Sequence, residues 1–565
     1  MDSPKNENLD LVDIMDYGQD IDVSALVEAV DSLDKSRNIN CRGKIFNYIT
    51  QLVFEMEESL TKLEAKDFTV EKLEEMSVFI YESMCISARN YHSVQHVFDI
   101  LNHDNRLRNN PITVLATCFH DCIYYHVDGG LTPVQAKLLK GCFKIEGPKI
   151  EEENDSDYVT SQSIYKFFAT PSENRGGNPE NNTLLLQMVE TIFGYTPGQN
   201  ISISNDGLNE FLSALVAVRM LGDHLPLERL AEIACCIEST IPFRPIDKNT
   251  GKSHMDLLFE NMKEARDVFG LLLSDEDLVS SVQEACLLSN SDVGNFGTTD
   301  RHWFLDNAWS LLPETNESLR NEYIYSVHHF HSALYKMYGF YGFLEPGVVF
   351  HHYRGVPDAS EMERLTEECS NNLAFGRTYV GAKLVAMSLV SAIALLTGGD
   401  APISLFTGDL REAERRSSMM SIYNVSEELN RTRLEKLRKT SSFKKSFVGR
   451  PKNQREEPKK EECNLLVYRI LAEGRRSKSS FDTKRSPWAA ELYSYMGDEG
   501  LKTLLKELNL YPMTEKKAWK LLRALPRDPV LSIVSSIARH ARPRTNKIDD
   551  IMLRLESGSF DDSLD

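Results

Sequence analysis

Positive charge is in short supply in this chain. Its 565 residues carry 64 Lys and Arg against 84 Asp and Glu, a formal net charge of −20. That balance excludes a chain-wide nucleic-acid surface. Long hydrophobic runs are missing as well. The most apolar stretch, LVAMSLVSAIALL (384–396), is too short to cross a bilayer and ends in Thr-Gly-Gly-Asp, so a core helix is expected there and no transmembrane segment anywhere. The ten cysteines lack metal-finger spacing. They are expected to be reduced thiols of a cytoplasmic protein, with no disulfide framework. The opening Met-Asp-Ser-Pro-Lys-Asn-Glu has no apolar segment of the signal-peptide kind. No internal repeat, no heptad run and no Ser- or Cys-centred triad stands out. The length suffices for two or three domains with a sizeable core.

What the chain does have is an unusual stretch at 90–128, NYHSVQHVFDILNHDNRLRNNPITVLATCFHDCIYYHVD. Val94, Val97, Phe98 and Leu101 recur at i, i+3, i+4 and i+7, the stripe of an amphipathic helix. His92 and His96 are four apart and fall on one face. Asp99 and His103 continue that polar stripe. A second helix opens with Asn110 as its cap and Pro111 in its first turn. It is then apolar on nearly every side (Ile112, Val114, Leu115, Ala116, Cys118, Phe119, Cys122), so it should be buried. His120 and Asp121 would then sit inside a core helix. An ionised carboxylate there is costly unless it is paired. A divalent cation shared with the imidazoles meets that need, and this donor chemistry suits Zn, Fe or Mn. The plainer alternative leaves His92 and His96 facing solvent and Asp121 bonded to a hydroxyl.

YHSVQH followed by a buried His-Asp pair resembles the HD superfamily of metal-dependent phosphohydrolases. YHSVQHVFDI is similar to the first metal-motif helix of the class I 3′,5′-cyclic-nucleotide phosphodiesterases. The resemblance covers roughly residues 75–300 and implies an all-α, HD/phosphodiesterase-like multi-helix bundle. It implies a first metal, Zn or Fe/Mn, held by His96, His120, Asp121 and Asp292, with Mg or Mn at a second site. Asp292 takes the last position because EACLLSNSDVGNFG (284–297) is similar to the family's buried helix that ends in an aspartate followed by Asn and a helix break. In that reading metal-activated water attacks a phosphodiester, and His92 protonates the leaving oxygen as general acid. Glu238 and Asn295 would stand near the metals or the substrate. His126 and Asp128, in the HVDGG loop, are either such groups or turn residues. Asp223, in an Asp-His pair near a helix end, is the rival last ligand.

Two departures keep other functions open. Ile123 and Tyr124 stand where the family's HDxDH motif has its second Asp and second His, and no glutamine matches the one that fixes the purine. The substrate could therefore be a nucleotide phosphomonoester or another small phosphoester. A non-catalytic, metal-binding scaffold or interaction protein is the reading from a different class.

Around this core the organisation is coarser. Residues 1–42 form an acidic N-terminal arm with one helix near Ser24–Leu33, and 43–425 a helical catalytic domain. Short helices are expected at Ile164–Phe168 and Leu184–Phe193, with polar loops between them. Longer ones should run over Leu208–Leu225 and 228–245. His328, His329, His331, His351 and His352 lie among aromatics without interleaved carboxylates and are read as core and pocket wall. Arg244 and Arg354 could meet a phosphate or serve on the surface. Residues 431–462 hold twelve basic and five acidic residues, a solvated basic linker (426–463) that should be disordered. RKTSS, RRSS and RRSKSS are basophilic-kinase-like. A small helical module follows at 464–555, suited to a protein partner, and then an acidic tail (556–565).

Overall fold

The computed structural model describes residues 47–140, 142–146, 164–167, 179–196, 200–201, 207–321, 324–408, 459–477 and 481–558. The acidic arm, most of the basic linker and the last seven residues lie outside these, as do the RKTSS and RRSS sites and the loop at 147–157. The protein is an all-α, multi-helix protein. Its helices of nine or more residues among those described are α1 Tyr48–Lys62, α2 Val70–Met84, α3 Val94–His103, α4 Pro111–Phe119, α5 Pro179–Ile192, α6 Leu208–Leu221, α7 Leu227–Ser239, α8 His254–Phe269, α9 Asp275–Asp292, α10 Arg301–Thr315, α11 Val327–Phe343, α12 Ala359–Thr397, α13 Leu465–Glu473, α14 Pro487–Glu507, α15 Glu515–Ala524, α16 Arg527–His540 and α17 Thr545–Ser557.

One sequence expectation fails outright. The short helix expected at Ile164–Phe168 is a strand, β2 (Ile164–Phe167), between β1 (Phe143–Glu146) and β3 (Asn200–Ile201) in an antiparallel ribbon. Apolar and polar residues alternate in the FKIE of β1, the period of a strand. Its ladder satisfies the backbone of β2, which is too short to nucleate a helix on its own. Two helices also stop sooner than expected. The 208–225 helix ends at Leu221 with Gly222 as its C-cap, and the 228–245 helix ends at Ser239, before Pro242.

The apolar residues form two cores. The first joins α1–α9, from Leu52 to Leu288, with Tyr353 added. Val94, Val97, Phe98 and Leu101 are all buried in it, and so are Leu73, Met76, Ile80 and Met84. The apolar α4 runs through its middle, packed by α1, α3, α6, α7 and α9. The second core begins at Phe304 and takes in α10–α12 together with Val467–Leu555. The expected module at 464–555 therefore shares one core with 304–406. The reason is α12, whose 39 residues extend well beyond the apolar run at 384–396. Its most apolar window is long enough to span a membrane, yet it is 83% buried inside the protein, covered by α11, α14 and α15. All described cysteines are free thiols.

Glu190 is the misfit of the first core. It is 1% exposed and its carboxylate oxygens find no hydrogen-bond partner among the described residues. Burial pushes its carboxyl up to about 7. A carboxyl whose folded value is raised costs no ionisation energy below the ordinary carboxylate range, destabilises the fold progressively as pH rises from there to the raised value, and adds no further loss above it. Glu190→Gln should therefore leave stability unchanged near pH 4 and raise it by roughly 1–2 kcal/mol at pH 8. Denaturant melts at the two pH values measure this, and an equal effect at both would refute the assignment.

Candidate metal centre

His96 lies in the first turn of α3, with its ring buried at 6% exposure. His120 is the C-cap of α4 and Asp121 begins the turn after it, so the pair stands at the end of the core helix rather than inside it. Asp292 is the last residue of α9. Three helix ends thus converge, where side chains reach into a shared space without breaking helical hydrogen bonds. His96 Nε2 is 2.8 Å from Asp292 Oδ1, and His120 Nε2 is 3.6 Å from the same oxygen. The ligand atoms of these three residues all lie within 4.8 Å of one another, forming a buried group that could hold a metal ion. Donors bound to one cation at about 2.0–2.2 Å in a tetrahedral site stand roughly 3.3–3.6 Å apart, a spacing that His120 Nε2 and Asp292 Oδ1 already have.

The donor set passes two further tests. His120 Nδ1 lies 2.8 Å from the Thr117 carbonyl. Donation there leaves Nε2 as the bare, ligating nitrogen, the usual outer support of a metal-bound imidazole. Nε2 of His120 and Oδ2 of Asp121 are buried, 3.0 Å apart, and neither makes a hydrogen bond among the described residues. Buried polar atoms are rarely left so, and an ion would satisfy both. Asp121 stands beside the three-residue group, its Oδ2 3.0 Å from His120 Nε2.

His92 does not continue α3. Ser93 is the N-cap, and His92 precedes it. The cause is Glu314 on α10, 2% exposed. One of its carboxylate oxygens accepts from the backbone N–H groups of Asn90 (2.5 Å), Tyr91 (2.5 Å) and His92 (3.2 Å). The other is 2.5 Å from His92 Nδ1. His92 thus lies against His96, rings 5.9 Å apart and edge-on, and against Tyr124 at 4.6 Å. No protein-family model, curated protein or solved structure matches the chain.

The remaining expected residues are divided. Asp128 is buried in a bidentate pair with Arg89, at 2.8 and 2.6 Å. The same guanidinium donates to the Asp121 carbonyl at 2.5 Å, so Asp128 acts on the site through Arg89. Asn295, in the turn after α9, lines a small cleft with Tyr91, His96, Asp99, His103, Asp292 and Trp303. His126 is exposed. Glu238 is drawn away by Arg244, at 2.5 Å, which also occupies that arginine. Arg354 lies over the rings of Phe259 and Tyr353. Asp223 is exposed just past the end of α6 and outside the donor group, and its neighbour His224 bonds the Lys66 carbonyl. Of the aromatic-rich histidines, His331 bonds Ser388 and His329 caps α11.

Sequence reasoning missed Arg89, Glu210 and Glu314. A lone carboxylate in the apolar run NAWSLLPE was the one available signal for Glu314. Glu210, in the first turn of α6, feels the Asp121 and Asp292 carboxylates, and chiefly burial pushes it up to about 7.

Electrostatically the centre is a buried lattice of imidazoles and carboxylates. Burial opposes charge on His92, His120, Asp121, Asp292 and Glu314. Asp121 and Asp292 nevertheless hold the His120 imidazolium well above the ordinary range. His120 and His96 bring Asp292 down to about 2, and His120 and His92 keep Asp121 below the ordinary carboxylate range. Glu314 and then Asp121 raise His92. A cation entering the group must displace protons from these rings.

The Arg89–Asp128 pair gives a direct test of the scaffold. Removing one partner of a buried ion pair costs about 3–5 kcal/mol. Arg89→Met should lose stability on that scale, and Arg89→Met with Asp128→Leu should recover most of it. Equilibrium unfolding of the single and double variants reads this, and additive losses would rule out the coupling.

Proposed function

We propose that the chain is a metal-dependent phosphohydrolase that cleaves a small phosphodiester of the cyclic-nucleotide type with water as nucleophile. The buried His96–His120–Asp292 group beside the His92–Glu314 pair is the observation that carries this reading. A divalent ion, Zn or Fe/Mn, would be held by those three residues with Asp121 alongside, and would supply an acidified water and polarisation of a phosphoryl oxygen. Glu314 fixes the ring of His92: with Nδ1–H donating to the carboxylate, Nε2 is left to carry the exchangeable proton. Because Glu314 also stabilises the imidazolium, His92 suits the role of general acid to a leaving alkoxide. Arg89 holds the Asp121 carbonyl and so fixes the turn that carries Asp121. Hydrolysis of a nucleotide phosphomonoester would use the same residues.

A second reading has support of its own. Ile123 is fully buried, its N–H bonded to the Ser213 hydroxyl, and Tyr124 packs on His92, so neither position offers a second-metal donor. A non-catalytic metal-binding protein that retains the helix-end cluster as structure accounts for this.

Metal analysis combined with turnover of a bis-aryl phosphodiester and of cyclic AMP separates the readings. The native chain should hold a transition metal and turn over. Asp292→Ala should lose both, and His92→Ala should keep the metal and lose about 10²–10⁴-fold in kcat. Metal without turnover on either diester or on nucleotide monophosphates would leave the scaffold reading; a folded chain without metal would end both.

The pH profile tests the acid. The raised value of His92 keeps it protonated above the ordinary imidazole range, so kcat should fall only on the alkaline side of that range. Glu314→Gln should move the falling limb to lower pH with metal content unchanged. A limb that stays in place would remove His92 from the role.

A further inference from the structure

Asp292 borders a second space besides the imidazole group. Where α3, the turn after α9 and the start of α10 meet, it lines a small cleft together with His96, Asp99, His103, Asn295 and Trp303. His92, His120 and Asp121 are not among the lining residues. The cleft has a volume of about 10 Å³, room for one water molecule or one ion and for nothing larger.

Its polar atoms do not balance. Asn295 is 5% exposed, and its Oδ1 is buried with no hydrogen-bond partner among the described residues. Asp99, one turn along α3 from His96, accepts at Oδ1 from Gln95 Nε2 at 2.8 Å and makes no ion pair among the described residues. No lysine or arginine lines the cleft. Of its two imidazoles, His96 is turned to Asp292, with Nε2 2.8 Å from Oδ1. Burial holds His103 below the ordinary imidazole range, so it brings no charge at neutral pH. The Asp99 carboxylate is thus left unanswered.

A water molecule satisfies Asn295 Oδ1 but leaves that negative charge standing, whereas a cation answers both. We propose that this cleft holds a hard divalent cation of the Mg²⁺, Mn²⁺ or Ca²⁺ class, bound by Asp99, by Asn295 Oδ1 and by Asp292. Carboxylate and amide oxygens select such ions, while the imidazole-rich group beside it selects Zn or Fe. Asp292 is then shared between the two positions. The site is independent of the hydrolytic reading and serves a non-catalytic metal-binding protein equally.

Terbium luminescence of the full chain tests it, because Tb³⁺ occupies oxygen-rich cation sites and Trp303, on the cleft wall, sensitises its emission. The native chain, excited in the indole band, should show saturable Tb³⁺ emission that excess Ca²⁺ displaces, and Trp303→Phe should lose most of it. Asp99→Asn should weaken Tb³⁺ binding at least about tenfold, whereas His120→Ala, which removes a donor of the imidazole group alone, should stay within about twofold of the native chain. If Asp99→Asn does not fold, Asn295→Ala takes its place, with the same expected loss. Three results would overturn the proposal: no sensitised emission from the native chain, which leaves the cleft to water; undiminished affinity in the folded Asp99→Asn or Asn295→Ala chain; or binding lost in a folded His120→Ala chain. Each is read without turnover, so the hydrolytic reading stands or falls separately.

Discussion

Two hydrophobic cores meet in this protein, and a buried carboxylate, that of Glu314, ties them together beside the candidate metal centre. Glu314 rides on α10, whose apolar face belongs to the second core. Its oxygens reach into the first, taking three successive backbone N–H groups ahead of α3 and the Nδ1 of His92. Hydrogen bonds to an ionised acceptor are about twice as strong as neutral ones, and here the geometry leaves the carboxylate little freedom. The start of α3 and the placement of His92 depend on it. A backbone held this way need not be helical, which is why His92 leaves the face it would share with His96.

The other half of the site is organised by where helices stop. α4 and α9 are buried along most of their length and end within a few ångströms of each other, one at His120, the other at Asp292. A core helix cannot hold these groups mid-length without paying for unpaired charge. At its end the same groups face one another, and each imidazole finds a carboxylate. Arg89 closes the arrangement from below, taking Asp128 with one edge and the Asp121 carbonyl with the other. The lattice has the donor chemistry and spacing to balance its charges through a cation.

Much of this was legible in the residues themselves. The stripe of α3, the Asn110–Pro111 opening and uniform apolarity of α4, and the apolar heart of α12 follow from spacing and side-chain type alone. So does the pairing of histidines four apart with a later His-Asp. The three histidines His92, His96 and His120, with Asp121, were singled out on that basis. Asp292 needed a resemblance as well as the apolar turn before it. The ribbon strand at Ile164–Phe167 and the shared core of 304–406 and 465–555 were not legible, because both depend on partners far along the chain.

Local pattern therefore determined which segments are helical, which faces are buried and which residues could serve as ligands, since periodicity and burial are properties of a few consecutive residues. Tertiary structure decided which of those candidates meet. It chose Asp292 over Asp223, set Glu238 against Arg244, turned Asp128 toward Arg89 and brought Glu314 to His92 across 222 positions. No short-range rule reaches that far. Long-range contacts are selected by how whole helices pack and by the cost of leaving any buried charge unanswered.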